Sequence, residues 1–295
     1  STISSISYTW PFAKEWTFTG SFGHSRRQLV EASGISHELS FRQFQGLGQV
    51  ETVLHQSKNQ RWSAFAGVSA NRNDSYLRGQ SIPLVLGGGE DGWLKSGYIR
   101  AGINGTGRYG RLFWSQNLYG LQGIASFTKN RHLKNLAFYD ISPGEARAVG
   151  GYGSLNWLLS PSTAVKLNAG GQWAFNPMPS SMGFSLGSDT GLRGLPGSFI
   201  SGDSGWIGST ELNWTFWKND RHSLQLVPFV GVGGVQSTRD NITINDTIGS
   251  GGLLARWLAG KHWQIELGWT DQFNADDNTG YWNDWLLGSG VYGSI

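Results

Sequence analysis

Greasy and wet side chains alternate along most of this chain. In Trp16-Thr17-Phe18-Thr19-Gly20-Ser21-Phe22-Gly23 the even positions are aromatic apart from Gly20, and the odd ones are polar or Gly. Val165 to Trp173 repeats the pattern with Lys166, Asn168 and Gln172 on one face. In Trp206 to Phe216, Leu212, Trp214 and Phe216 oppose Glu211, Asn213 and Thr215. The clearest case is Trp263-Gln264-Ile265-Glu266-Leu267-Gly268-Trp269-Thr270. A period of two sends alternate side chains to opposite faces of a strand, so these are two-faced strands. Runs over 2–12, 15–25, 36–45, 48–57, 61–72, 92–105, 108–122, 148–159, 163–175, 205–217, 223–235, 249–260, 262–271 and 285–295 predict about fourteen of them. Helical periodicity is confined to a turn around Leu133 to Tyr139.

The connectors are of two kinds. Pro11-Phe12-Ala13-Lys14, Ser160-Pro161-Ser162, Asn219-Asp220 and Gly260-Lys261 are short, whereas 73–91, 123–147, 176–204, 236–248 and 272–284 are long and rich in Asn, Asp, Gly, Ser and Pro. Tight turns alternating with long loops are the asymmetry of an outer-membrane barrel, and a soluble sandwich is the competing all-β architecture.

Composition decides between the two. Only 15% of the 295 residues are charged, too few to solvate a sandwich exterior, and mean hydropathy is -0.30. There are 15 Trp, and Trp10, Trp16, Trp93, Trp157, Trp257, Trp263 and Trp269 sit near strand ends, where interfacial girdles place them. The expectation is an all-β, transmembrane antiparallel barrel occupying 1–295, apolar towards lipid and polar towards a wet lumen. Its Gly231, Gly233 and Gly234 would open space on the inner wall beside Phe229. Aromatics at 13% exclude a disordered chain, and no apolar run is long enough for a spanning helix.

Other chemistries find little support. A net charge of +3 with no basic run argues against nucleic acid. The absence of Cys excludes disulfides and thiolate-bound zinc. His24, His37, His55, His132, His222 and His262 have no metal-ligand spacing, and no Gly-x-Ser-x-Gly elbow occurs. Asp276-Asp277-Asn278 to Asp284 reads as a solvated acidic loop rather than a Ca²⁺ site. No catalytic residue, metal or cofactor is therefore expected, save that a triad could still be assembled from distant strands.

The connector 176–204 is the most distinctive stretch. It contains Ser185-Leu186-Gly187-Ser188-Asp189-Thr190-Gly191-Leu192-Arg193-Gly194-Leu195-Pro196-Gly197, then Ser201-Gly202-Asp203-Ser204-Gly205, and a strand bearing Glu211-Leu212 comes next. This block resembles the long loop of the Omp85/TpsB superfamily. It is most similar to the TpsB branch, the haemolysin-activator transporters of two-partner secretion, with their "V-R-G-Y/F" tip, "x-G-D-x-G" and "E-L" strand. Tyr8-Thr9-Trp10-Pro11-Phe12 and Trp16 to Ser21 resemble the family's third and fourth strands, and Gly34-Ile35-Ser36 resembles the short segment after them. Leu77-Arg78-Gly79 lacks the Gly-Asp context and carries nothing.

The resemblance implies an outer-membrane pore of Gram-negative type that exports an unfolded, TpsA-like partner polypeptide without ATP. It also implies contact with outer-membrane lipid and insertion by barrel-assembly machinery. It places Leu192, Arg193, Gly194 and Leu195 at the tip of a loop folded into the lumen, supported by Gly202, Asp203, Gly205 and Glu211. A passive porin and a barrel insertase of the same superfamily are the alternatives. Family barrels have sixteen strands preceded by two POTRA domains, and this chain contains no POTRA domain, as if it began at the third strand. The family's Arg pairs with an Asp in "F-x-D-x-G", but Phe229-Val230-Gly231-Val232-Gly233 has Gly231 there. A confined guanidinium needs a carboxylate. Glu211 and Glu266 both have inward parity, with Glu211 the first expectation.

Overall fold

The computed structural model describes residues 2–29, 39–187, 190–195, 200–239, 242–260, 263–276 and 290–294. Its strands are β1 (Thr2–Ala13), β2 (Trp16–Leu29), β3 (Leu39–Gln56), β4 (Gln60–Leu77), β5 (Gln80–Ser81), β6 (Trp93–Tyr109), β7 (Leu112–Gly123), β8 (Arg147–Ser160) and β9 (Thr163–Ala174). They continue with β10 (Phe184–Leu186), β11 (Ile200–Gly202), β12 (Ser204–Lys218), β13 (His222–Arg239), β14 (Ile242–Ala259), β15 (Trp263–Asp276) and β16 (Gly290–Ser294). One α-helix, α1, spans Asn130–Ala137 and covers most of the anticipated helical turn.

Thirteen strands lie along one antiparallel path, β1-β2-β3-β4-β6-β7-β8-β9-β12-β13-β14-β15-β16, with β5 beside β4 and β10–β11 a separate ribbon. Directly opposed residues share a face, so the register fixes which side chains meet lipid. Trp16, Phe18 and Phe22 on β2, Leu155 and Trp157 on β8, Leu212, Trp214 and Phe216 on β12 and Leu267 and Trp269 on β15 all point outward and are exposed. Asn104 and Asn117 oppose each other across β6 and β7 on the inner face, as do Asn168 and Ser209 across β9 and β12. The fold is that of a transmembrane antiparallel β-barrel.

Two anticipated boundaries are corrected. The runs anticipated over 36–45 and 48–57 are joined where the structure describes them, from Leu39 to Gln56, in a single strand, β3, which makes thirteen wall strands of the expected fourteen among the described residues. Gly46 and Gly48 interrupt the apolar alternation without interrupting the pairing, because Gly46 opposes Ala70 and Gly48 opposes Val68. The stretch 236–248 is mostly strand rather than loop: β13 runs to Arg239 and β14 starts at Ile242. Its Thr and Ile residues retain β propensity, but past the apolar band both faces are wet and the alternation disappears.

The remaining connectors keep their two kinds. Residues 14–15, 57–59, 110–111, 161–162 and 219–221 make tight turns at one end, and 78–92, 124–146 and the connector from β9 to β12 make long loops at the other. Gly34-Ile35-Ser36, His37, His262 and Asp277 to Asp284 lie outside the described residues.

Candidate functional site

The loop between β9 and β12 folds into the lumen and is held at its root by buried polar contacts. Gln172 Nε2 on β9 donates to the carbonyl oxygens of Met182 (2.8 Å) and Asp203 (3.0 Å). Asp203 Oδ1 accepts the Met178 N–H at 2.9 Å, and its own N–H donates to Ser237 Oγ at 3.2 Å. Inside this root, β10 pairs with β11 through Phe184↔Gly202, Ser185↔Ser201 and Leu186↔Ile200. The Phe184 ring lies against Gly205, where an added Cβ would stand 2.3 Å from Cδ1.

Above the root the loop packs on the wall. Phe184, Leu186, Leu192, Leu195, Ile207, Val235 and Ile248 form one buried cluster between loop and strands. The glycines of β13 make room for it: a Cβ on Gly233 would stand 2.8 Å from Leu186 Cδ2, and one on Gly231 would stand 2.7 Å from Leu192 Cδ2. Phe229 does not face this gap. It opposes Gly252 and packs with Val227 and Leu254 in a separate inward apolar cluster.

The tip then turns on Gly194, whose φ of 83° lies in the left-handed region that Gly enters without strain. Thr270 of β15 comes so close that a Cβ on Gly194 would fall 2.3 Å from its Oγ1. Gln272 Nε2 donates to the Gly194 carbonyl at 2.9 Å.

Between these contacts Arg193 reaches the β12 wall. Its Nε donates to Oε1 of Glu211 at 2.7 Å and its Nη2 to Oε2 at 3.3 Å, a two-point pairing suited to the planar guanidinium. Arg193 Nη1 lies 3.8 Å from Oε2 of Glu266 on β15. The other oxygen of Glu266 accepts from Arg256 Nε at 2.5 Å and Gln264 Nε2 at 3.0 Å. Arg256 Nη1 in turn donates to Asn213 Oδ1 and Gln225 Oε1, both at 3.2 Å. Glu211 and Glu266 are both buried. Removing one partner of such a pair typically costs about 3 kcal/mol, because the other charge is left desolvated and alone.

The two carboxylates of inward parity thus meet one arginine. Arg256, Thr270 and Gln272 complete the arrangement without any signal in the loop motif. Parity alone could have found the last two, since they share the inward face of β15 with Glu266. Beside the seated tip a cavity of about 1180 Å³ remains, with Asn104, Asn117, Ser154, Lys166 and Asn168 on one side and Arg193 and Glu211 on the other. Among the described residues no group of three or more His, Asp or Glu side chains is placed to hold a metal.

Fold and site together define an outer-membrane-type β-barrel whose long loop packs inside the strand wall and pairs there through an arginine. The chain belongs to the haemolysin secretion/activation protein family ShlB/FhaC/HecB, whose model matches residues 1–254. It is an outer-membrane protein of Gram-negative type. Its fold resembles CdiB from Escherichia coli with a TM-score of 0.78 at 16% identity, over 99% of this chain and 52% of that one. It also resembles CdiB from Acinetobacter baumannii, with a TM-score of 0.67 at 17% identity, over 99% of this chain and 49% of that one. A form of BamA from Haemophilus ducreyi lacking POTRA domains 1–3 reaches 0.59 at 12%, over 99% and 62%. The chain spans about half the length of the two CdiB chains. No curated protein matches it by direct sequence comparison.

Proposed function

We propose that residues 1–295 form the membrane domain of a two-partner secretion pore, which passes an unfolded, TpsA-like partner polypeptide outward without ATP and catalyses no reaction. The observation that carries this reading is the Arg193–Glu211 pairing beside an open polar cavity. It helps to seat a long loop across part of the lumen, together with the apolar cluster beneath the tip. The cavity wall suits an unfolded chain: Asn104, Asn117 and Asn168 offer amides that match a passing main chain. Leu192, Arg193, Gly194 and Leu195 act as the tip of the plug, and Gly202, Asp203 and Gly205 as its hinge and root.

A porin would present opposed acidic and basic rows at its constriction. Here Arg256, Glu211 and Glu266 on the wall interleave with Arg193 of the loop. Barrel-assembly machinery would insert the chain, as it does other outer-membrane barrels. The test is planar-bilayer conductance together with export of the partner protein in Arg193→Ala. Longer-lived open states and reduced export are expected, and wild-type behaviour in both would remove the functional content of the loop.

A further inference from the structure

The lipid-facing surface splits into two unlike halves at the long-loop end. Trp16 and Arg26 on β2, Trp62 and Arg72 on β4, and Trp157 and Arg147 on β8 are each ten residues apart, so each pair shares the outward face. Ten residues of strand span about 33 Å. At the tilt of a barrel this is about 25 Å along the membrane normal, the height of the apolar band. The tryptophans therefore mark one interface and the cations the other, on the side of the long loops. On β9, β12, β14 and β15 the corresponding ten-residue partners of Thr163, Phe216, Trp257 and Trp263 are Trp173, Trp206, Thr247 and Phe273, none of them charged.

Within the basic half, register sets like charges directly opposite one another. Arg26 opposes Arg42 across β2 and β3, and Arg72 opposes Lys95 across β4 and β6. Opposed like charges on neighbouring strands destabilise a sheet, and at an interface they are only partly screened. The neighbouring carboxylates are already engaged: Asp74 pairs with Arg72 at 2.8 Å, and Asp91 pairs with Arg131 of the loop. Arg26, Arg42, Lys95 and Arg147 have no ion pair to a carboxylate among the described residues. Arg42 rests over the Tyr76 ring, and Arg147 Nε donates to Gln122 Oε1.

We propose that this outward face of β2–β8 binds the phosphate groups of the phosphorylated glycolipid that forms the outer leaflet of Gram-negative outer membranes. A phosphate oxygen set between Arg26 and Arg42, and another between Arg72 and Lys95, turns each repulsive pair into a clamp. The guanidinium fork matches phosphate in two-point geometry. A glycolipid bearing two phosphates on one headgroup engages two such clamps, and its acyl chains lie along Phe18, Phe22, Val68 and Ile99 below. The β9–β15 half, with aromatic and hydroxyl residues at the same level, makes no comparable demand.

The test is binding of fluorescent diphosphorylated lipid A to the full chain in a neutral detergent. Unlabelled lipid A, lipid A stripped of its phosphates, and phosphatidylglycerol serve as competitors. Affinity should fall about fivefold for each arginine removed in Arg26→Gln, Arg42→Gln and Arg72→Gln, fall less in the corresponding Lys variants, which keep the charge but lose the two-point fork, and weaken with salt. Dephosphorylated lipid A and phosphatidylglycerol should compete at least tenfold more weakly than lipid A. Competition by either within tenfold of lipid A on the wild-type chain overturns the proposal without recourse to any variant, as does wild-type affinity in a folded triple Gln variant.

Discussion

Leu192 fills the space that Gly231 leaves in the inner wall, so the loop is seated by shape as well as by charge. A Cβ at Gly231 would stand 2.7 Å from Leu192 Cδ2 and 3.1 Å from Ser209 Cβ, and Leu192 is fully buried with no room to retreat. The space at Gly231 is given over to an apolar side chain, and Arg193 turns to β12 and β15 instead.

Gly231→Asp should therefore unseat the tip. Evicting Leu192 forfeits about 2–3 kcal/mol of apolar burial, and the new carboxylate meets a hydrocarbon pocket rather than the guanidinium. Trypsin cleavage after Arg193 in native vesicles reports the change, and it should be at least tenfold faster than in wild type. Pairing the substitution with Leu192→Ala, which clears the space, should recover part of the protection. Wild-type cleavage in the single variant would show that Leu192 is not seated against this glycine.

Gly194→Ala tests the turn itself. A residue with a Cβ at φ 83° costs about 1–2 kcal/mol in backbone strain alone. The added methyl also collides with Thr270, whose Cβ, Cγ2 and Oγ1 all lie within 2.8 Å of where it would be. Displacing the backbone breaks the bond from Gln272 to the Gly194 carbonyl. More frequent opening in planar bilayers is expected, with loop cleavage rising in parallel. An unchanged opening frequency would mean that the tip tolerates a different path through the lumen.

His132 makes the outer loops sensitive to acid. It is fully buried on α1, both its ring nitrogens lack hydrogen-bond partners, and the Trp93 ring packs edge-on 4.8 Å away. Burial, reinforced by the charges of Arg131 and Lys129, holds its pKa below the ordinary 6.5, with Asp91 at 3.8 Å pulling the other way. In the unfolded loop His132 takes up a proton near 6.5 while the folded loop still refuses it, so more protons are bound on unfolding as pH falls through that window. Loop stability is fully present above 6.5 and is lost progressively as the pH drops towards the folded pKa. Protection factors of the amides across 124–146, which divide out the slowing of the exchange chemistry itself in acid, should fall from pH 8 to pH 5 in wild type and not in His132→Leu. The same fall in both proteins would assign the effect to another group.

Whether a feature is legible in the sequence depends on how local its cause is. The outward Trp and Phe residues and the inward amides are readable from period two, because lipid and water impose opposite demands on alternate side chains. That signal fails where the two sides become alike. At Gly46 and Gly48 the outward face has no side chain to read, and in 236–248 both faces are wet. Glu211 is legible as a partner of Arg193 because it lies just past the loop motif on the next strand. Arg256 is not, since it meets Glu266 only through the β14–β15 register, and no local pattern announces that. Phe229 departs from expectation for a related reason: its parity is right, but the pocket it fills belongs to Val227 and Leu254.

Arg256 should act on the loop through Glu266, in a direction opposite to simple loss of support. Glu266 is shared: Oε1 binds Arg256 at 2.5 Å, while Oε2 is 3.8 Å from Arg193 Nη1, too long for a strong pairing. With Arg256 present, most of the negative charge on Glu266 is already answered, and its pull on the loop is weak. Arg256→Gln removes that competitor and leaves a buried carboxylate in need of a cation, and Arg193 is the nearest one able to move towards it. The tip should then be held more tightly, with the pore opening about fivefold less often for each kcal/mol gained. Glu266→Gln should loosen the tip, and the double variant should behave like Glu266→Gln, since Arg256 acts through that carboxylate. Single-channel recording separates the outcomes: more frequent opening in Arg256→Gln would show that Arg256 merely props the wall, with no influence on Arg193.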